Sequence, residues 1–155
     1  MATSLISSGF RFHHVGFVVA DIVSSAEKFS RSLGASWDGC IFDDPLQKAR
    51  VTFLRTHPAD PAIELVQPAA EESPVQRFLN DRGGLHHFCY EVEDLDRDLS
   101  AMRSRGAAIA KRPKPAVAFG GRRIAWVITA EGLLVELLES TRPPTPDSIG
   151  ETSDR

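Results

Sequence analysis

The sequence predicts an α+β fold in which two tandem βαβββ modules form one curved mixed sheet around a cleft. Three observations predict it. The segment His13-His14-Val15-Gly16-Phe17-Val18-Val19-Ala20-Asp21 recurs as His86-His87-Phe88-Cys89-Tyr90-Glu91-Val92-Glu93-Asp94, and in both copies a histidine stands seven residues before an aspartate. Each aspartate opens a stretch with helical apolar spacing. Each copy closes on an aliphatic strand broken by a glutamate, Glu64 lying 50 residues after His14 and Glu136 lying 49 after His87.

The elements follow in order. Residues 1–9 are small and polar and are expected to fray. Phe12 to Val19 is a strand with His14, Gly16 and Val18 on one face and Val15, Phe17 and Val19 on the other. Asp21 caps a helix that carries Ala26, Phe29 and Leu33 on one side, and Gly34 stops it. Strands are expected over 37–42, 49–55 and 62–67, separated by Asp43-Asp44-Pro45 and by a turn over 56–61. In Glu72-Ser73-Pro74-Val75, the serine reads as an N-cap and the proline as the first residue of a linker helix spanning 72–82.

The second copy then runs through a His87 strand and a helix with Leu95, Leu99 and Met102 at i, i+4 and i+7. It continues with a strand near 107–110, a loop opened by Lys111-Arg112-Pro113-Lys114-Pro115, and a hairpin over 123–129 and 133–139. One domain thus covers 10–140, with module one at about 10–69 and module two at about 84–140. The proline-rich segment 141–155 reads as a disordered tail.

Composition excludes several function classes. The 155 residues carry a formal net charge of −3 and are 42% hydrophobic. That balance disfavours a general nucleic-acid or membrane-surface binder, which needs a basic excess. Two cysteines, Cys40 and Cys89, are too few for a disulfide framework. With neither a leader nor a membrane-spanning apolar run, they predict a soluble cytoplasmic protein.

A carboxylate flanked by aliphatics on a central strand is costly to bury unless it is paired or binds a cation. If the modules pack about a pseudo-two-fold axis, His14, Glu64, His87 and Glu136 converge on it, and two imidazoles with two carboxylates suit a divalent transition metal. His13 and His86 fall on the opposite face by strand alternation and read as edge or surface histidines. Cys89 reads as a small core residue. Lys111, Lys114, Arg122 and Arg123 form the one basic cluster, suited to a phosphate or carboxylate tail.

The paired His-Val-Gly-Phe-Val-Val-x-Asp and His-His-Phe-Cys-Tyr-Glu-Val-x-Asp motifs, together with the glutamate-bearing strands, resemble the vicinal oxygen chelate superfamily over residues 10–140. Within it the likeness is to the methylmalonyl-CoA epimerases. The resemblance implies a vicinal oxygen chelate fold in which His14, Glu64, His87 and Glu136 hold one divalent ion (Co, Mn, Zn or Ni). It further implies an enolate-type epimerisation of an acyl-CoA or related thioester, with Glu136 and Glu64 moving the proton. Gln47, Lys114, Arg122 and Arg123 would contact substrate, and the protein would work as a homodimer. A glyoxalase-type lyase or isomerase and a non-catalytic binding protein are the alternatives. Two departures stand out: Val51 occupies the position where some epimerases carry a glutamate base, and the His-Pro-Lys loop of the final hairpin is missing.

Overall fold

The computed structural model describes residues 9–141. The frayed end and most of the tail expected from the sequence therefore lie outside the described residues. Module one comprises β1 (Arg11–Val18), α1 (Ile22–Leu33), β2 (Ser36–Trp37), β3 (Phe42–Asp44), β4 (Ala49–Arg55) and β5 (Ala62–Pro68). After a short α2 (Gln76–Asp81), module two comprises β6 (Gly84–Val92), α3 (Leu95–Ser104), β7 (Ala108–Pro115), a 3₁₀ turn (Val117–Phe119), β8 (Arg123–Ile128) and β9 (Leu134–Glu139).

These strands form a single mixed sheet in the order β2-β4-β5-β1-β6-β9-β8-β7, with β3 also on β4. The order is a palindrome of the repeat: β1, β5 and β4 of one module mirror β6, β9 and β8 of the other. In each module the first strand pairs in parallel with the last. The modules join where β1 and β6 run antiparallel.

Helix caps behave as the sequence predicts. The Asp21 side chain accepts from the Ser24 N–H and that of Asp94 from the Arg97 N–H, each satisfying one of the donors a helix start leaves unpaired. Gly34 takes φ 66° and stops α1. Both helices cover the outer face of the sheet. Ile22 and Ala26 pack on Leu54 and Leu65, while Leu95 and Leu99 pack on Val127 and Leu137. A fully buried aliphatic side chain is worth about 1.5–3 kcal/mol, so these two clusters hold the helices and leave the opposite, concave face to the cleft. Among the described residues no helix is long and apolar enough to cross a membrane.

Three local expectations are corrected. The strand expected over 37–42 is split into β2 and β3. Lys111 to Pro115 continues β7 rather than opening a loop, because β7 is the sheet edge, where a proline without an N–H breaks no required bond. The linker helix begins only at Gln76, and Ser73 does not cap it: the backbone closes that turn through the Gln76 N–H to Ser73 carbonyl bond of 3.0 Å.

Candidate metal centre

The β1–β6 seam sets the site. Gly16 lies opposite His87 and Cys89 opposite His14, so the two histidines sit diagonally across the pseudo-two-fold. Glu64 on β5 is opposite Gly16, and Glu136 on β9 is opposite Cys89. All four residues are at most 4% exposed.

The donor atoms converge. The two imidazole Nε2 atoms are 3.2 Å apart. Glu64 Oε2 lies 3.2 Å from His14 Nε2 and 3.1 Å from His87 Nε2, and Glu136 Oε1 lies 3.7 Å from His14 Nε2. Glu64 Oε2 and Glu136 Oε1 have no hydrogen-bond donor. Ligands bound at about 2.1 Å in a tetrahedral or octahedral array stand roughly 3.0–3.4 Å apart. His14, His87 and Glu64 stand at that spacing and fit a divalent cation, with Glu136 just outside it as a fourth buried donor, and the borderline nitrogen and oxygen set suits Co, Mn, Zn or Ni.

Burial lowers the proton affinity of His14, but the carboxylates of Glu64 and, after it, Glu136 together reverse this and raise its pKa. Burial pushes Glu64 upward, and His14 followed by His87 holds it below the usual carboxylate range. Glu136 is raised by burial, against the pull of His14, with the Cys89 thiol beside it. Burial and the Glu136 charge in turn push that thiol well up, so Cys89 is a neutral partner of the carboxylate.

His13 and His86 correct the sequence reading. They do not lie on the opposite face as surface histidines: His13 Nδ1 is 2.8 Å from His14 Nδ1, and His86 Nδ1 is 2.9 Å from His87 Nδ1. Burial, then the neighbouring histidine, lowers each to a pKa of about 4. The sequence also left two aromatic supports unremarked. Phe53 packs edge-on against His14 at 5.7 Å and Trp126 against His87 at 4.7 Å. Both stand 39 residues after their histidine, a spacing that could have found them. Phe119 of the 3₁₀ turn stacks on His14 at 5.9 Å. Asp44 anchors that turn to module one by accepting from the Val117 N–H at one oxygen and from the Leu46 and Gln47 N–H groups at the other.

A cavity of about 180 Å³ opens on the cluster, lined by Glu64, His87 and Glu136 and by apolar Val51, Val66, Ile124 and Trp126. It adjoins a groove of about 300 Å³ that carries Lys48, Lys111, Arg112 and Lys114. Gln47 lines both spaces. Arg122 and Arg123, expected at substrate, line neither. Arg122 pairs with Glu91 at 2.9 Å, and Arg123 with Glu139 at 2.6 Å and Asp96 at 3.0 Å. Those ion pairs tie Arg122, just before β8, to β6 and the first residue of β8 to β9 and α3, and the groove's positive charge comes from the turn before β4 and from β7 instead.

Fold and site together define a protein of the Glyoxalase/Bleomycin resistance protein/Dioxygenase superfamily, whose sequence profile matches residues 13–126; the chain belongs to that family. Among its relatives, an ethylmalonyl-CoA/methylmalonyl-CoA epimerase of Cereibacter sphaeroides is 34% identical over 131 residues, covering 82% of this chain and 96% of that protein. A mitochondrial methylmalonyl-CoA epimerase of Dictyostelium discoideum is 26% identical and covers 83% and 78%. The crystal structure of the methylmalonyl-CoA epimerase from Mycobacterium tuberculosis superposes with a TM-score of 0.73 at 27% identity, covering 94% of each chain.

Proposed function

We propose that this chain is a metal-dependent epimerase that inverts the acidic carbon of a short 2-carboxyacyl-CoA or a related thioester. The observation that carries the reading is the cluster of four buried donors with two unpartnered carboxylate oxygens, opening on an apolar cavity. Similarity to ethylmalonyl-CoA and methylmalonyl-CoA epimerases supports the substrate class.

His14, His87, Glu64 and Glu136 would hold the cation, which supplies positive charge opposite the negative charge that develops on two neighbouring substrate oxygens. The chain's own residues handle the proton. Glu64 lies within 3.2 Å of both imidazoles, whereas Glu136 approaches only His14, at 3.7 Å. Glu136 is therefore the looser carboxylate and the base that takes the proton from the carbon between the two carbonyl groups. For inversion, Glu64 in its protonated form would return one to the other side of that carbon, and exchange with solvent would then reset both carboxyl groups.

Val51 and Val66 wall the cavity with hydrocarbon and keep bulk water from the carbanionic carbon. Gln47 orients the acyl end, and Lys114 with Lys48, Lys111 and Arg112 receives the anionic carrier along the groove. The working form is a homodimer, supported by sheet edges and by exposed apolar side chains such as Phe12 and Leu85 near the seam.

The test pairs elemental analysis with deuterium exchange at C2 of methylmalonyl-CoA and ethylmalonyl-CoA. The reading expects about one divalent ion per site and exchange that a chelator abolishes. Tight metal and ligand binding without exchange would make the chain a binding protein instead.

A further inference from the structure

The β1–β6 seam contains two irregularities that the repeat places symmetrically. Phe12 pairs with Tyr90 and His14 with Cys89, so β1 spends one extra residue there, His13. Further along, Gly16 pairs with His87 and Phe17 with Leu85, so β6 spends one extra residue, His86. A bulge of this kind re-aims a side chain that strict alternation would send to the other face. Here it turns a second imidazole toward each cluster histidine, at nearly right angles: ring centroids are 5.1 Å apart in both pairs, with interplanar angles of 78° and 89°. The bulged rings are held in place, His13 against Phe119 at 5.5 Å and His86 against Phe78 at 4.7 Å.

We propose that His13 and His86 are positioning residues: each accepts the Nδ1 proton of the histidine that follows it, which leaves Nε2 of His14 and His87 as the unprotonated atom facing the cation. Two facing Nδ1 atoms at 2.8–2.9 Å require one proton between them. Assigning it to the cluster ring leaves that ring's Nε2 free to coordinate. The opposite assignment would leave the proton on Nε2, the atom that stands beside Glu64 in the cluster and must offer its lone pair to the cation. An outer partner on the second ring nitrogen fixes tautomer and orientation, and its loss typically lowers metal affinity by about 10–100-fold. The inference rests on the metal reading of the site.

The experiment combines two readouts. Long-range ¹H–¹⁵N spectra of histidine-labelled protein, metal-free at pH 8 and after adding zinc, should show His14 and His87 protonated at Nδ1, and His13 and His86 protonated at Nε2. Cobalt affinity by chelator competition should fall about 10–100-fold in His13→Leu and in His86→Leu. It should recover to within a few fold in His13→Asn and His86→Asn, whose side-chain oxygens still accept a hydrogen bond. Nδ1 protons found on His13 and His86 would overturn the proposal, as would leucine and asparagine variants that lose affinity equally or not at all. The wild-type spectra decide the matter even if a variant fails to fold. If wild-type protein binds no zinc, the metal reading fails, and the metal-free spectra still report where the Nδ1 protons lie.

Discussion

Module one places Phe53 edge-on against His14, and module two places Trp126 edge-on against His87; each aromatic sits opposite its module's glutamate across a strand pair. Around this shared plan the neighbours diverge. Gly16 lies beneath the His87 ring, whereas its counterpart opposite His14 is Cys89, which also pairs across the strands with Glu136. Glu64 is gripped by both imidazoles while Glu136 is approached by one. Under the proposed function, duplication would supply the ligands in pairs, and the unlike neighbours would divide the work of the two carboxylates, Glu64 held the more tightly and Glu136 taking the proton from substrate.

The comparison breaks most severely if one ligand is removed. His87→Ala should abolish metal binding, and full occupancy by elemental analysis would remove the metal assignment. Gly16→Ala comes next. A Cβ there would stand 2.0 Å from His87 Cε1 and 2.5 Å from Nε2, so the ring must leave its place. Overpacking of this kind costs roughly 1–3 kcal/mol, and metal affinity should fall at least tenfold in the same variant. Unchanged affinity would mean the His87 ring is not a ligand in this pose.

Metal removal should be more damaging at high pH. The His14 pKa is raised in the metal-free fold, above an unfolded value of about 6.5. Its protonation therefore stabilises the metal-free fold below pH 6.5, and that contribution is lost as pH rises through the folded value. The melting-temperature gap between metal-loaded and chelator-treated protein should widen from pH 6 to pH 8, by roughly 2–4 °C for each kcal/mol. A gap that narrows would contradict the pairing of His14 with Glu64. The smallest effect is expected from Cys89→Ala, which trims a small, fully buried side chain and should cost about 1 kcal/mol in thermal unfolding, with metal binding kept.

The repeat was legible in the sequence because both signals are local and periodic: alternation exposed His14, His87, Glu64 and Glu136, and equal spacing tied them together. The bulges were not. They arise from pairing between segments 73 residues apart, so alternation within one strand sent His13 and His86 to the wrong face. Arg122 and Arg123 read as groove cations because charge alone does not reveal which acid a side chain meets, and Glu91, Glu139 and Asp96 reach them only after the sheet has formed. The strand through Pro113 was hidden because proline is a breaker everywhere except at an edge, and edge position is a property of the whole sheet.

The most direct test of the division between the two carboxylates is deuterium exchange at C2 of an active acyl-CoA, measured with metal-loaded Glu136→Gln beside metal-loaded Glu64→Gln. Glutamine keeps an oxygen near the cation and removes basicity. The account predicts that Glu136→Gln retains its metal with modestly weaker affinity and loses exchange by about a hundred- to ten-thousandfold, while Glu64→Gln loses more of its metal affinity. An exchange loss under about tenfold in Glu136→Gln would contradict it and leave Glu136 as a ligand only.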